Sequence, residues 1–318
     1  MNTHSRTMWA VVLGTCLASS SAIAQSDAAK ALGGLFQSLT KPAAPAQNNP
    51  LSNVLNIAVG NQNNSASAGD LVSMLTQSLE DIDEPKEIEI GRQLSAILLG
   101  AKPLYPDMAL QRYVNRLGRW LSLQSPRPNL PWTFAVLDDA GYNAFAAPGG
   151  YIFVTKGLVD RVADESELAG ILAHEITHVI AKHHLKAMRK SAQTGLLSQL
   201  VAQQVGNKLP GGLSSQLIGL GRNLYSKGLD QSDELEADRA GVALAARSGF
   251  DPYGLVAALQ QLRTAAPDDP LFALSLSTHP SAQMRLDQLE LAMGSKLDAY
   301  VGKPPVTIAQ RLARAGNR

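Results

Sequence analysis

Two histidines four residues apart, with a glutamate directly after the first, lie in an apolar stretch of helical periodicity at residues 166–188. The pattern His174-Glu175-x-x-His178 sits among small and aliphatic residues, so the helix that carries it is expected to be buried. Residues four apart share one helix face, with Cβ atoms about 5–6 Å apart, so both imidazoles can converge on one zinc ion. Glu175 is offset from that pair and can act as a general base on a water molecule. The motif therefore predicts a metal-binding helix inside the fold.

The alternative for this motif is a set of structural histidines that hydrogen-bond within an ordinary core. The bare pattern is only suggestive, because it arises by chance on the order of once in several hundred chains of this composition. Its surroundings argue against the alternative, since a buried His-Glu-His set without a metal is unfavourable to desolvate. We therefore interpret His174 and His178 as zinc ligands and Glu175 as the base.

A zinc ion in a hydrolytic site needs a third protein ligand and an open fourth position. Glu234 and Asp238 are four residues apart in a predicted helix at residues 233–247. One carboxylate can therefore bind the ion while the other orients a ligand imidazole. Glu236 is expected to face away and to serve as a control. The alternative is a solvated acidic helix start that the helix dipole stabilises.

The remaining histidines after the motif have less informative positions. His183 and His184 follow His174 by nine and ten residues. On a continuous helix they lie past the metal along the axis, so we expect surface or packing residues. His279, which precedes a proline, could reach the open metal position or hydrogen-bond the developing oxyanion. A plain surface histidine explains its position equally well.

Helical and strand-like patterns along the chain predict an α+β fold. Helical periodicity begins near Glu84 and returns around residues 110–121, and strand-like runs follow at 132–137 and 151–154. Turns are expected at 138–141 and 148–150. Further helices are predicted after Pro252 and from Ser281. The fold class is therefore a mainly helical α+β domain with a small sheet.

The first 24 residues have the features of a secretory signal peptide. Arg6 precedes an apolar run, and Ala22 and Ala24 are spaced for cleavage after residue 24. The run is shorter than the roughly 20 residues that span a bilayer. Cys16 gives a competing interpretation as a lipid-attachment cysteine, against which Thr15 argues because Gly or Ala usually stands there. We predict a periplasmic chain cleaved near Ala24 rather than a lipoprotein.

Composition narrows the classes of function. Cys16 is the one cysteine, so a chain without residues 1–24 has no disulfide, iron–sulfur ligand or thiol nucleophile. Lys and Arg number 28 against 27 Asp and Glu, which argues against nucleic acid as a partner. Residues 25–80 are predicted to be a flexible leader and 296–318 a C-terminal tail. Residues 194–224 are apolar but carry Gln and Lys, so a helical hairpin or lid is favoured over a membrane span.

Several motifs together resemble peptidase family M48, the gluzincins related to HtpX and the CAAX prenyl proteases. The matching segments are residues 143–150 (NAFAAPGG), the HEITH motif, Glu234 with Asp238, and Thr278-His279-Pro280 followed by Arg285. They lie within residues 84–295, which we predict to be the catalytic domain. Because no transmembrane helix is predicted, the chain is most similar to the soluble periplasmic branch of the family, which includes BepA and LoiP. One departure is that Ser226-Lys227 lies farther from Glu234 than the Ser-Arg pair common in the family.

This resemblance implies a zincin-like domain in which an edge strand, placed here within residues 143–154, borders the active-site helix. It also implies one zinc ion per chain. The implied site residues are the ligands His174, His178 and Glu234, the general base Glu175, the supporting or proton-donating Asp238, and His279, whose counterpart in BepA-like proteins can approach the zinc and restrain activity.

The resemblance further implies an endopeptidase that acts on extended, unfolded or misfolded envelope proteins. A peripheral contact with the membrane or with outer-membrane assembly machinery fits the same branch. Two other functions stay open at this stage. One is an envelope chaperone or assembly factor with a latched zinc site, and the other is a zinc amidase that acts on a cell-wall bond.

Overall fold

The computed structural model of the chain describes residues 82–193, 228–266, 268–302 and 304–316. All of these residues belong to the compact unit Asn53–Arg318. The predicted signal peptide with Cys16, the leader at 25–80 and the segment at 194–224 lie outside the described residues. No helix within the described ranges is both long and apolar enough to cross a bilayer.

The described residues form ten α-helices, three strands and one 3-10 helix, which confirms a mainly helical α+β fold with a small sheet. In chain order they are α1 (Glu84–Ala101), α2 (Met108–Leu123), β1 (Thr133–Leu137), β2 (Ala144–Ala147), β3 (Tyr151–Thr155), α3 (Lys156–Val159), α4 (Glu165–Ile180), α5 (His183–Gln193), α6 (Gln231–Arg247), α7 (Gly254–Thr264), α8 (Ala273–Thr278), α9 (Ala282–Met293), the 3-10 helix (Asp298–Tyr300) and α10 (Ile308–Gly316).

The sheet has the strand order β1-β3-β2. β1 runs parallel to β3, and β2 pairs antiparallel with β3 through a tight hairpin. The predicted turn at 148–150 is confirmed: Gly149 and Gly150 have φ values of 77° and 100°, a region that glycine adopts without a steric penalty. The prediction of one edge strand within residues 143–154 was too broad. That segment folds back on itself as β2 and β3, of which β2 lies at an edge of the sheet and β3 lies at its centre.

Helix α4 forms the centre of the fold, with 14 of its 16 residues buried. It packs against α6, α7, α2 and the sheet. Two glycines permit the closest approaches to it. A Cβ atom on Gly241 of α6 would lie 2.9 Å from the backbone of His174, and one on Gly170 of α4 would lie 2.6 Å from the backbone nitrogen of Leu255 in α7. The backbones of α4, α6 and α7 therefore come closer together than larger side chains would allow.

The prediction of a continuous helix over 166–188 was wrong. Helix α4 begins one residue earlier, with the side chain of Asp164 accepting hydrogen bonds from its first turn, and ends at Ile180. Lys182 then takes the left-handed conformation, with a φ of 57°, before α5 starts at His183. The Lys182 ammonium lies 3.2 Å from the buried carboxylate of Glu87. This break changes the path of the chain immediately after the HEITH motif.

The predicted later helices are present. Helix α6 covers the region predicted at 233–247 and is followed by Gly249 with a φ of 91°. Helix α9 begins after Ser281, whose hydroxyl accepts a hydrogen bond from the backbone N–H of Met284. Because this cap depends only on neighbouring residues, the start of α9 could be predicted from the sequence.

Residues beyond 295, which the sequence analysis assigned to a tail, include a helix that packs on the body of the fold. Ile308 of α10 joins the main hydrophobic core. The Arg311 guanidinium contacts the Glu165 carboxylate at 2.6 and 2.9 Å, and Tyr113 donates a 3.0 Å hydrogen bond to the same carboxylate. Helix α10 is thereby linked to the first turn of α4.

Candidate metal centre

Three side chains with potential ligand atoms converge between α4 and α6. The Nε2 atoms of His174 and His178 are 3.0 Å apart. Each also lies 3.6 Å from a different carboxylate oxygen of Glu234. All three side chains are buried. The four-residue spacing on α4 and the close packing of α6 against it thus bring together two imidazoles and one carboxylate.

This arrangement fits a tetrahedral zinc ion. Donors at about 2.0–2.2 Å from zinc in tetrahedral geometry lie roughly 3.3–3.5 Å from one another. The 3.0 Å between the two Nε2 atoms and the 3.6 Å from each Nε2 to its nearer Glu234 oxygen are close to that range. The Glu234 Oε1 atom is buried and has no hydrogen-bond partner in the described part of the chain. A buried carboxylate oxygen without a donor is unfavourable unless a cation offsets its charge. The residues therefore fit a divalent metal.

Asp238 and Arg285 fix the orientation of the first imidazole. Asp238 Oδ1 lies 3.0 Å from His174 Nδ1. Arg285 donates to both oxygens of the same carboxylate, from Nε at 2.8 Å and from Nη2 at 2.6 Å. Because an ionised carboxylate only accepts hydrogen bonds, the His174 proton is held on Nδ1, and the Nε2 lone pair points toward Glu234 and His178.

The second imidazole has a different partner, which the sequence analysis missed. His178 Nδ1 lies 2.9 Å from His183 Nδ1, and His183 is fully buried. The expectation that His183 and His184 lie past the metal was wrong because the helix breaks at Lys182. Their ring centroids are 5.0 and 5.8 Å from that of His178.

Glu236 is exposed and lines neither cavity, but it is not isolated from the residues around the potential ligands. Its carboxylate lies 3.5 Å from His183 Nε2, and Asp233 lies 3.6 Å from the same atom. Glu236 is nevertheless about half exposed, with 52% of its side-chain surface accessible. It is therefore unsuitable as a neutral control for changes at Glu234.

Glu175 faces a cleft that lies beside strand β2. One cavity of this cleft contains residues of β2 with Glu175, His178, Glu234 and His279. A second cavity also reaches Glu175 and His279 and is bounded on its far side by apolar residues of α4 and α7. The base predicted from the motif thus lies where the two cavities meet, next to the outer strand of the sheet.

His279 follows α8 and reaches the same place. Its Nδ1 atom lies 2.7 Å from Glu234 Oε2, and its ring centroid is 6.2 Å from that of His174. His279 therefore is not a plain surface residue. It contacts a carboxylate of the candidate metal centre and lines both cavities.

The protonation of the potential ligands suits metal binding. Burial lowers the pKa of His178 well below its usual value, and the neighbouring His174 adds to this effect. Burial alone would raise the pKa of Glu234, but the adjacent His279 outweighs burial and lowers it to about 2. A neutral imidazole and an ionised carboxylate are the forms that bind divalent metals.

The pKa values of Glu175 and His174 shift upward for different reasons. Burial raises the pKa of Glu175, and the neighbouring His174 only partly opposes this effect. For His174, burial lowers the pKa, but the hydrogen bond with Asp238 and the negative charges of Asp238 and Glu234 together outweigh burial and raise it. A carboxylate with a raised pKa is a stronger base once it is ionised, as a general base requires.

Comparison with known proteins points to one family of peptidases. The model of Peptidase family M48 matches residues 108–292, more than half of the chain. That range contains all of the residues described at the candidate metal centre.

Individual relatives agree with this match. The chain is 31% identical over 227 residues to the beta-barrel assembly-enhancing protease of Escherichia coli (strain K12), covering 69% of this chain and 46% of that protein. It is 31% identical over 208 residues to the protein of the same name in Yersinia pestis, covering 63% and 42%. It is 30% identical over 179 residues to the mitochondrial metalloendopeptidase OMA1 of Schizosaccharomyces pombe, covering 56% and 51%. The aligned region thus spans about half the length of these relatives.

Proposed function

Because this chain belongs to peptidase family M48, we propose that it is a zinc-dependent endopeptidase with His174, His178 and Glu234 as the metal ligands. The observation that carries the proposal is the convergence of two buried Nε2 atoms and one carboxylate to within 3.0–3.6 Å of one another. One zinc ion per chain satisfies these three donors and leaves a fourth position for water or substrate.

Zinc, when bound, supplies a Lewis acid that polarises the scissile carbonyl and makes water a better nucleophile. Glu175 takes the proton of the attacking water and returns it to the leaving amine. Its burial favours this exchange because a raised pKa makes the ionised carboxylate of Glu175 a stronger base. Glu175 lines both cavities, so it can reach a peptide that crosses from one to the other.

Asp238 supports the reaction by holding His174 rather than by contacting the substrate. Both of its oxygens accept hydrogen bonds from Arg285, and Oδ1 also lies 3.0 Å from His174. Asp238 lines neither of the two cavities, so its carboxylate does not face the cleft. We therefore assign Asp238 a positioning role.

The substrate is an extended polypeptide that lies along β2. Residues 143–146 line the cavity that contains Glu175, so a peptide alongside this strand passes the base. Recognition through the backbone of a strand tolerates many side-chain sequences. This mode suits unfolded or misfolded proteins, in which extended segments are accessible, better than compact folded ones.

We place this activity in the periplasm, with misfolded envelope proteins as substrates. The support is the predicted signal peptide at residues 1–24 and the similarity to proteins named beta-barrel assembly-enhancing protease. The same names suggest a contact with outer-membrane assembly machinery.

One contact favours a restrained form of this enzyme. His279 Nδ1 lies 2.7 Å from Glu234 and its ring occupies the cleft next to Glu175. A metal centre that is blocked by His279 would also suit a chaperone or assembly factor that has little proteolytic activity. The two functions differ in whether Glu175 is required.

The test is cleavage of unfolded casein by the purified chain, measured together with bound zinc. We expect wild type to bind one zinc ion and to cleave casein, with both properties lost after chelation and restored by zinc. Glu234→Gln should lose zinc, whereas Glu290→Gln, on the exposed face of α9, should not. Glu175→Gln should retain zinc and lower kcat by roughly 10²–10⁴-fold.

Two results would contradict the proposal. Cleavage that survives complete removal of metal would exclude the mechanism. Full biological activity of Glu175→Gln in cells would favour the chaperone or assembly factor.

A further inference from the structure

The contact between His178 and His183 links the candidate metal centre to a buried histidine that lines neither cavity. The two Nδ1 atoms are 2.9 Å apart, and both residues are at least 98% buried. Two imidazoles at this distance share one proton, which one ring donates and the other accepts. The direction of that hydrogen bond decides which nitrogen of His178 carries its proton.

Only one direction of the hydrogen bond between His178 and His183 is compatible with metal binding by His178. If His183 donates to His178, the proton of a neutral His178 is on Nε2, where it blocks the lone pair that faces His174 and Glu234. If His178 donates, its proton is on Nδ1 and Nε2 is free to bind the ion. The second arrangement parallels His174, whose Nδ1 proton is held by Asp238.

The surroundings of His183 favour this second arrangement. A neutral His183 that accepts at Nδ1 carries its own proton on Nε2. That atom is buried and has no closer hydrogen-bond partner among the described residues, but it faces Asp233 at 3.6 Å and Glu236 at 3.5 Å. Two carboxylates attract an N–H group and repel a lone pair, so they bias His183 toward the Nε2–H tautomer.

We propose that His183 is a positioning residue that keeps the Nε2 atom of His178 free to bind zinc, with Asp233 and Glu236 fixing the tautomer of His183. The break at Lys182 makes this possible, because it turns the chain so that His183 packs against His178 instead of continuing along α4. The inference rests on the proposed function, since it assumes that His178 binds the metal.

The experiment measures the zinc dissociation constant by competition with a chelator. His183→Leu keeps an apolar side chain in the buried position but removes the acceptor, and we expect zinc binding to weaken roughly 10- to 100-fold. His183→Gln retains a carbonyl oxygen that can accept from His178 Nδ1, so it should recover part of the affinity. The visible spectrum of the cobalt-substituted chain provides a second readout, because it reports the geometry of the ligands.

The carboxylates give a test that leaves the buried histidine in place. The double change Asp233→Asn and Glu236→Gln should weaken zinc binding several-fold, because an amide can also stabilise the other tautomer of His183. If His183→Leu fails to fold in the presence of chelator, this double variant decides the question. Glu290→Gln is the matched control for the loss of a carboxylate and should leave the dissociation constant unchanged.

Two outcomes would overturn the inference. The first is a dissociation constant within about twofold of wild type in folded His183→Leu, or in the double variant if His183→Leu does not fold. The second is two zinc ions per wild-type chain, one of which is lost in the double variant, because His183, Asp233 and Glu236 would then form a second metal site.

His174→Gln, measured in parallel, separates this inference from the proposed function. If that variant keeps its zinc, the proposed metal centre is wrong. If it loses zinc while His183→Leu binds normally, only the role of His183 is wrong.

Discussion

Arg285 holds Asp238 through two hydrogen bonds, from Nε to Oδ2 at 2.8 Å and from Nη2 to Oδ1 at 2.6 Å. Both side chains are at least 96% buried. Asp238 Oδ1 in turn lies 3.0 Å from His174 Nδ1 and so fixes the orientation of that imidazole. The three residues come from α9, α6 and α4. A single ion pair therefore links the packing of three helices to the position of one potential metal ligand.

Removing the arginine should destabilise the fold as well as the metal centre. We expect Arg285→Met to lower the free energy of unfolding by about 3–5 kcal/mol, because a buried carboxylate loses its cation. Arg285→Lys keeps the positive charge but cannot form the bidentate pair of hydrogen bonds with Asp238, so its effect on the free energy of unfolding should be intermediate. Urea unfolding in the presence of chelator measures both. A loss below about 1 kcal/mol in Arg285→Met would show that Asp238 does not depend on this partner.

The approach of α6 to α4 depends on Gly241. A Cβ atom there would lie 2.9 Å from the Cα and N atoms of His174, closer than the backbone of α4 can allow without moving. We expect Gly241→Ala to lower the free energy of unfolding by about 1–3 kcal/mol and to weaken zinc binding, since Glu234 moves away with α6.

Gly100 provides the matched control for that substitution. It is an exposed helical glycine near the end of α1, and a Cβ atom on it would meet nothing within 4 Å. Gly100→Ala should leave zinc binding unchanged and raise stability by up to about 1 kcal/mol through helix propensity. Equal effects of the two substitutions would show that the spacing between α4 and α6 does not control the metal centre.

His279 should restrain turnover. Its ring lies in the cleft between the two cavities and its Nδ1 contacts Glu234, so His279→Ala should admit substrate more readily. We expect severalfold faster cleavage of unfolded casein, a lower KM and an unchanged zinc content.

Ser277→Ala serves as the control for His279→Ala. Ser277 is an exposed residue of α8 whose hydroxyl donates a hydrogen bond to the local carbonyl of Leu274. This variant should behave like wild type. A fall in kcat for His279→Ala, with KM unchanged, would instead assign His279 to the transition state.

The stability of the metal-free protein should fall in mild acid because of His184. Burial lowers the pKa of His184 to about 4, whereas an unfolded histidine titrates near about 6.5. Between these values the unfolded chain binds a proton that the native chain does not. The contribution of neutral His184 is therefore complete above pH 6.5 and decreases as the pH falls toward 4.

Comparison with His184→Gln isolates this contribution from those of other acidic and basic groups. As the pH falls from 7 to 4, the free energy of unfolding of wild type should decrease by up to about 3 kcal/mol relative to that of the variant. Denaturant unfolding at several pH values in chelator measures it. Parallel stability curves for the two proteins would exclude the buried histidine as the cause.

The sequence predicted the parts of the site that depend on local spacing. The four-residue intervals from His174 to His178 and from Glu234 to Asp238 place side chains on one helix face whatever the rest of the fold does. The structure then shows these faces meeting, and the end of α6 near Gly249 and the start of α9 at Ser281 also follow from local rules.

The features that the sequence did not predict depend on tertiary contacts. Glycine or asparagine usually marks a left-handed helix end, but here Lys182 takes that position, where Glu87 holds its ammonium. The continuous apolar pattern therefore concealed the break, and with it the return of His183 to the site. The bounds of strand β2 were not predicted for a similar reason, because its short AFAA segment becomes a separate strand only by pairing with β3.

The potential ligands His174 and Glu234 are 60 positions apart in the chain, and Arg285 lies 51 positions farther on. A copy that has not finished folding has no three-ligand pocket, so it cannot yet hold an ion with useful affinity. Under the proposed function, activity therefore requires completion of the chain's own fold. If unfolded chains are the substrates, immature copies of the protein would in this way be unable to cleave one another.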